Sequence, residues 1–304
     1  MTGLEVTRET LLAARDVDTN AARGTRAPPM RPSGYLLLTL PLIVFLVGFY
    51  VYPVADMLAR GVHPEGWSLA PFAEVLQDES FWRVMQITLE ISVTVTIACL
   101  LLGYPLAYWL ARLPPARANL LLILVLIPFW TSILVRSYAW MALLERHGII
   151  NNMLLWLHAL PRPAKLLNTR FSVCLAMTHV LLPFMVLPIF ANLRGLDWRL
   201  VRAAESLGSR PFASFRQITL PLSRPGIAAG VTVVFTLAVG FYITPVLVGA
   251  SSDVMISVLI SDRVGQLQWP QASAMAAILL ALVLFVTVLL GRAIRGRRLA
   301  AGAP

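Results

Sequence analysis

The chain has 304 residues, 58% of them hydrophobic and only 13% charged, with a formal net charge of +10. That apolar share is too high and that charge density too low for a water-soluble domain, so the composition specifies an integral membrane protein. The basic excess is divided among short loops, which excludes a nucleic-acid surface and points to contact with anionic lipid.

Residues 1–34 are polar, with Arg8, Arg15, Arg23, Arg26 and Arg31 interspersed with acids, and end in the breaker cluster "RAPPMRPSG". They contain no apolar core of a secretory signal and read as a disordered cytoplasmic tail. Residues 35–292 form the transmembrane domain. Six stretches free of Asp, Glu, Lys and Arg are predicted to be helices long enough, at about 1.5 Å per residue, to cross a hydrocarbon layer about 30 Å thick. They are Tyr35 to Ala55, Ile91 to Ala111, Ala118 to Val135 (running on through Arg136 to Leu144), Phe171 to Leu193, Pro225 to Ser252, and Ala272 to Gly291. A basic cytoplasmic C-terminus, 293–304, follows. The fold class is therefore all-α and polytopic, since the strict alternation of a transmembrane barrel is absent.

An even number of spans places both termini on one side, and 17 of the 25 Lys and Arg fall on that side. The positive-inside rule makes that side the cytoplasm. Cys99 and Cys174 lie within spans and read as small packing residues. His63, His147, His158 and His179 form no ligand pair, so no metal or cofactor site is expected. A phosphate-binding glycine loop is absent, and the single lysine, Lys165, lies on the outer side. No nucleophile and base are paired across the spans, and their centres hold no charge pair of the kind that couples transport to ions. The chain is expected not to be an enzyme.

The polar stretch 194–224 breaks this apolar pattern. Asp197 to Leu207 is helix-compatible, and Gly208 offers a positive φ at which a helix stops. A second short helix, starting near Pro211, is expected to present Phe212, Phe215 and Ile218 as one apolar stripe and to end at Pro221, with Pro225 opening the fifth span. Two short helices joined at a glycine, with an aromatic stripe on an otherwise polar segment, make a docking surface or a hairpin resting on lipid.

The spacing of Ala203, Ala204 and Gly208, then nine residues, then Ile218, Leu220 and Pro221 resembles the cytoplasmic signature of permease subunits of binding-protein-dependent ABC importers. The family's glutamate before the two alanines is Arg202 here, with Glu205 three residues on. The resemblance implies a coupling helix that docks on a separate ATPase subunit, a second permease subunit (a further copy of this chain or, as the polyamine branch implies, a distinct chain), an extracytoplasmic solute-binding protein, and a bacterial inner-membrane location. The segments "GYPLAYWLA", "IPFWTSILVRSYAWMALL", "GIINNML", "GFYITPVLVG" and "QWPQASAMA" resemble the spermidine/putrescine branch, whose relatives carry iron, thiamine and other small solutes. For a cationic solute, Glu90, Asp253, Trp82, Trp130, Tyr138 and Tyr242 are candidate pathway residues, through charge pairing and cation–π attraction. Pro183, Pro188, Gly240 and Pro245 are candidate bending points. The outer segments Glu145 to Arg170 and Phe72 to Trp82 read as packing at the lipid interface or, as the resemblance implies, as contacts for the binding protein.

Overall fold

A computed structural model describes residues 32–62 and 68–300 of the chain, so the tail read as disordered lies almost wholly outside the described residues. Those residues are helical, with no strand among them. They fall into two compact units divided after Asp56. The first unit holds α1 (Pro32–Leu46), a π turn (Val47–Val51) and most of α2 (Tyr52–Ala59), which together make an apolar span.

The second unit begins with α3 (Ala70–Gln77) and α4 (Glu79–Arg112). Asp78 caps α4 by accepting from the Ser80 amide at 2.8 Å, so this helix starts twelve residues before the predicted span and carries Glu90. Next come α5 (Pro115–Trp130), α6 (Ile133–Leu144), α7 (Ile149–Trp156) and α8 (Arg170–Arg194). The third predicted span is not one helix: α5 stops at Trp130, and the chain resumes in α6–α7 at 91° to it. Pro128, Thr131 and Ser132 explain the break. Thr131 and Ser132 are extended, and both the Thr131 amide and its hydroxyl turn back to the Pro128 carbonyl. The predicted bending points in α8 do not interrupt it; Pro183 and Pro188 lie inside a continuous helix.

The remaining elements are α9 (Arg199–Ser206), α10 (Pro211–Ser214), a π turn (Phe215–Thr219), α11 (Leu220–Val239), α12 (Ile243–Val248), α13 (Ile256–Gly265) and α14 (Trp269–Ala300). Pro221 does not end a helix as the sequence suggests. Residues Pro211–Val239 run as one apolar span because the π turn, closed by Leu220 N–H to Phe215 O, widens the ladder around Gln217, whose carbonyl lies four residues before the proline. The same device precedes Pro53, where Tyr52 N–H reaches Val47 O. The fifth span in turn ends at Val239 rather than Ser252, with Gly240 as its cap. The last helix runs through the segment read as a basic terminus as far as Ala300.

The core of the second unit is the packing of α4, α8 and α11 on one another. Val95, Cys99 and Leu110 meet Met177, Met185 and Ile189, with Val234 and Ala238 closing the third side. Small residues permit the approach: a Cβ on Gly226 would stand 2.6 Å from Asn192 Cβ and 2.9 Å from the Pro188 carbonyl. A smaller cluster of Val75, Phe81, Met85, Ile256 and Met275 joins α3, α13 and α14 to the start of α4. Among the described residues five helices are long and apolar enough to span a membrane, or six if the bent α5–α7 segment counts as one span.

Candidate functional site

The hairpin between α8 and α11 is built as its residue types dictate. The last turn of α9 closes with Ser209 N–H on Ala204 O and Gly208 N–H on Glu205 O, and Gly208 takes φ +89°. This paired closure with a left-handed residue is the Schellman ending, for which glycine is the unstrained choice. Pro211 then begins α10, where its missing N–H leaves no unmet bond. Ser214 ties the two halves together through its hydroxyl to Ser209 at 3.0 Å.

The expected single stripe divides. Phe212 is 74% exposed, whereas Phe215 turns inward and meets the ring edges of Tyr104 and Tyr108 at 6.0 and 5.5 Å between centroids. Tyr108 also packs on Trp198, and the Arg112 guanidinium lies 4.4 Å over the Tyr108 ring and 5.4 Å over that of Trp198. Tyr104 OH and Ser223 Oγ are 3.0 Å apart, linking α4 to the start of α11. The stripe expected from i, i+3, i+6 spacing fails because the π turn shifts the helical phase after Ser214. Ile218, Leu220 and Pro221 are half-buried along this joint.

What the hairpin leaves outside is its tip. Leu207, 90% exposed, joins Phe212 and Ala203 there, beside the exposed Glu205 and the half-buried Ala204. A cleft of about 410 Å³ lies under it, lined by Ala111, Arg112, Trp198, Val201, Arg202 and Glu205. Leu207 escaped the sequence reading, which treated it only as the end of a helix. So did Tyr104 and Tyr108, although their i, i+4 spacing marks one helix face.

At the opposite end of α8 a second polar group forms. Arg170, absent from the sequence-based candidates, donates through Nη1 to Glu90 at 2.7 Å and through Nε to Asp253 at 2.5 Å. Asp253 is only 8% exposed, and Glu90 also accepts from Gln86 Nε2 at 2.9 Å. The clue was available in sequence: an arginine at a helix N-terminus opposes the macrodipole and needs acids nearby. The surrounding backbone is stapled as well. Thr169 and Ser172 form a capping box, Ser172 Oγ donates to Val248 O at 2.7 Å, and Ile256 N–H donates to Thr88 Oγ1 at 2.8 Å.

The candidate aromatic residues do not join this group. Trp130 is 84% exposed at the α5–α6 break, and Tyr138 is exposed on α6. Tyr242 OH accepts from Ser261 Oγ at 3.4 Å, and Trp82 Nε1 is engaged by Leu76 O at 2.8 Å. Outside α8, Asn151 anchors the outer segment by accepting from Ala164 N–H and donating to Glu145 O and Ala164 O, which leaves Ile149, Met153 and Trp156 exposed on α7. Among the described residues no group of His, Cys, Asp and Glu is placed to hold a metal ion.

Residues 21–299 match the family described as binding-protein-dependent transport system inner membrane component. The chain belongs to this family. As a permease it is 39% identical over 256 residues to the spermidine/putrescine transport system permease protein PotB of Haemophilus influenzae, covering 83% of this chain and 87% of that one. It is 36% identical over 200 residues to the PotB protein of Escherichia coli, covering 66% and 73%. The permease fold also matches a chain of the bacterial alginate ABC transporter solved in complex with an alginate pentasaccharide-bound periplasmic protein. There the TM-score is 0.71 at 19% identity, covering 84% of this chain and 91% of that one.

Proposed function

We propose that this permease is one of two distinct membrane subunits of an ATP-driven importer for polyamines of the spermidine and putrescine class. The observation that carries the coupling half of this reading is the hairpin: an exposed Leu207–Phe212 tip whose base is locked by Phe215 into the aromatic face of α4. A separate ATPase subunit grips the tip. Ala203, Ala204, Glu205 and Gly208 shape the seat, while Phe215, Ile218, Leu220 and Pro221 carry the displacement into α11. Rigid-body motion of packed helices is the form such a signal takes, because packed cores switch between discrete arrangements rather than deforming smoothly. In this reading the chain crosses six times, with α5–α7 as one broken crossing and both termini cytoplasmic, and the hairpin lies on the ATPase side; the positive-inside count supports that orientation.

The solute class rests on the similarity to the two spermidine/putrescine permeases. Of the candidate pathway acids, Glu90 and Asp253 share a single guanidinium, so their group keeps one net negative charge for a cation to meet. Trp130, Tyr138 and Tyr242 supply exposed aromatic faces. An extracytoplasmic binding protein delivers the solute, and α7 with its exposed Ile149, Met153 and Trp156 is its proposed seat.

The test is uptake of labelled putrescine and spermidine by cells with and without the permease, with ATP depletion and ion-gradient collapse applied separately. Uptake that requires both the permease and ATP is expected. Uptake that survives ATP depletion and fails with the ion gradient would refute the ATP-driven mechanism, and ATP-driven uptake of another solute alone would refute the polyamine assignment.

A further inference from the structure

Arg136 stands apart from every other buried or half-buried cation described. It lies on α6, four residues past the break, and no carboxylate or carbonyl among the described residues accepts any of its N–H groups; its Nε is buried with no partner. The imidazole within its electrostatic range, that of His179, has its lone pair already engaged. Trp140 Nε1, a donor without acceptor capacity, reaches His179 Nδ1 at 3.3 Å, so that nitrogen carries the lone pair and the ring proton sits on Nε2. Arg136 lies within electrostatic range of the same imidazole. Rotating the helix to relieve this would break a buried contact, because Ser137 next to Arg136 is buried and its Oγ stands 3.0 Å from Thr244 Oγ1 of α12.

Depth makes the missing acceptor informative. His179 is nine residues from the Arg170 end of α8, about 13 Å along the axis, so the group lies well inside a helix that spans the membrane. A guanidinium at such depth is retained when it faces a partner or a water-filled cavity, and an Nε buried away from solvent favours the partner. Reaching outward to headgroups would require freeing the buried Nε. Around the helix, Arg136 sits on the flank where the buried side, marked by Ser137 and Leu144, gives way to the exposed side of Leu134, Val135, Tyr138 and Ala139.

We infer that Arg136 receives a carboxylate from a membrane helix of the second permease subunit, with the Nε2–H of His179 as a further donor at the same seam. A planar carboxylate matches the guanidinium fork, and charge complementarity selects an acid on the partner. The inference rests on the proposed pairing with a second permease. A carboxylate on the solute is the other source of the same chemistry, and the spermidine and putrescine class has none.

The experiment uses the assembled complex of both permeases, the ATPase and the binding protein. A photo-crosslinking side chain replaces Ala139, one turn from Arg136, which is itself kept native. The expected result is a light-dependent adduct with the second permease. Adducts with lipid alone, or none, would overturn the inference. In parallel, Arg136→Gln is expected to lower recovery of the second permease with this chain at least tenfold, with Arg136→Lys retaining a measurable part. Unchanged recovery overturns the inference, including the case in which uptake alone is lost, since that result assigns the carboxylate to the solute. The crosslink reads contact rather than transport, so it is independent of which solute is carried. A wild-type complex that purifies without any second permease overturns the proposed function as well.

Discussion

Gly208 separates backbone strain from surface contact better than any other position in the hairpin. Its φ is +89°, yet a Cβ built there meets nothing within 4 Å, so a substitution faces no clash inside the chain. What remains is the conformational cost of holding an L residue in the left-handed region, about 1–2 kcal/mol for alanine and less for asparagine, which visits that region more readily. An energy of that size changes an equilibrium by roughly five- to thirtyfold. Gly208→Ala is therefore expected to cut ATP-driven uptake by about that factor, while Gly208→Asn stays near wild type. Gly208→Asp resembles Asn in backbone tolerance but adds a charge beside exposed Leu207. It is expected to lose uptake and ATPase co-purification together. Equal uptake in the Ala and wild-type proteins would refute the need for positive φ, and an Asp variant behaving like Asn would refute contact between this face and a partner.

Three further substitutions test the frame around the hairpin. Phe215→Ala removes a half-buried ring from Tyr104 and Tyr108, at roughly half the 3–5 kcal/mol of a fully buried site. The ATPase should still co-purify through the tip while its hydrolysis no longer drives uptake; intact coupling would show that the ring transmits nothing. Arg170→Gln strands the buried Asp253 carboxylate at about 1–3 kcal/mol, discounted because Arg170 and Glu90 are half exposed. The melting temperature of the detergent-solubilised complex should fall, with Arg170→Lys in between, and an unchanged value would deny the clamp a structural part. Gly226→Val drives a side chain against Asn192 and the Pro188 carbonyl, an overpacking of about 1–3 kcal/mol, and should lower the same melting temperature.

The sequence marked most of the spans because a helix that faces lipid or a helical neighbour needs an uninterrupted apolar run, and that run is visible without tertiary information. α8 was legible almost to the residue, from Phe171 to Leu193 within Arg170–Arg194. The ending at Gly208 was legible for a local reason, since left-handed backbone selects glycine within a few residues of the helix it stops. Two features were hidden because they depend on ladder geometry rather than composition. The break at Thr131–Ser132 interrupts a stretch with no charge to signal it, and the π turn at Phe215–Thr219 converts Pro221 from a stop into an interior residue. The same turn re-aims Phe215, so the periodicity that assigned it outward used the wrong phase. Arg170 was missed by a boundary error of one residue: a span defined as free of charge excludes the charge that anchors its end.

The unbroken span and the inward-turned Phe215 set how motion can pass through the molecule. With a proline stop at 221, the hairpin would hang from a flexible joint, and a push on its tip would be spent in bending that joint. The continuous Pro211–Val239 span removes the joint, and the Phe215–Tyr104–Tyr108 stack fastens its inner end to α4. At the far end, Ser257 Oγ holds the Phe241 carbonyl at 2.6 Å, just past the cap of α11, while Ser172 holds Val248 and Arg170 holds Glu90 and Asp253. The inner ends are thus tied to one another, α4 to α11 through Tyr104 and Ser223 and α8 to the end of α4 through Arg194 and the Leu113 carbonyl, while at the outer end α8 is tied to α4 by Arg170–Glu90 and α11 runs on into a segment held by α13. Motion confined to one of them would have to break these bonds in sequence, whereas rotation of α4, α8 and α11 as a block that carries α12 and α13 with it breaks none. The surface that must then slide is the outer face of the block and of α5–α6, where the break leaves Trp130 and Tyr138 exposed and Arg136 without an acceptor.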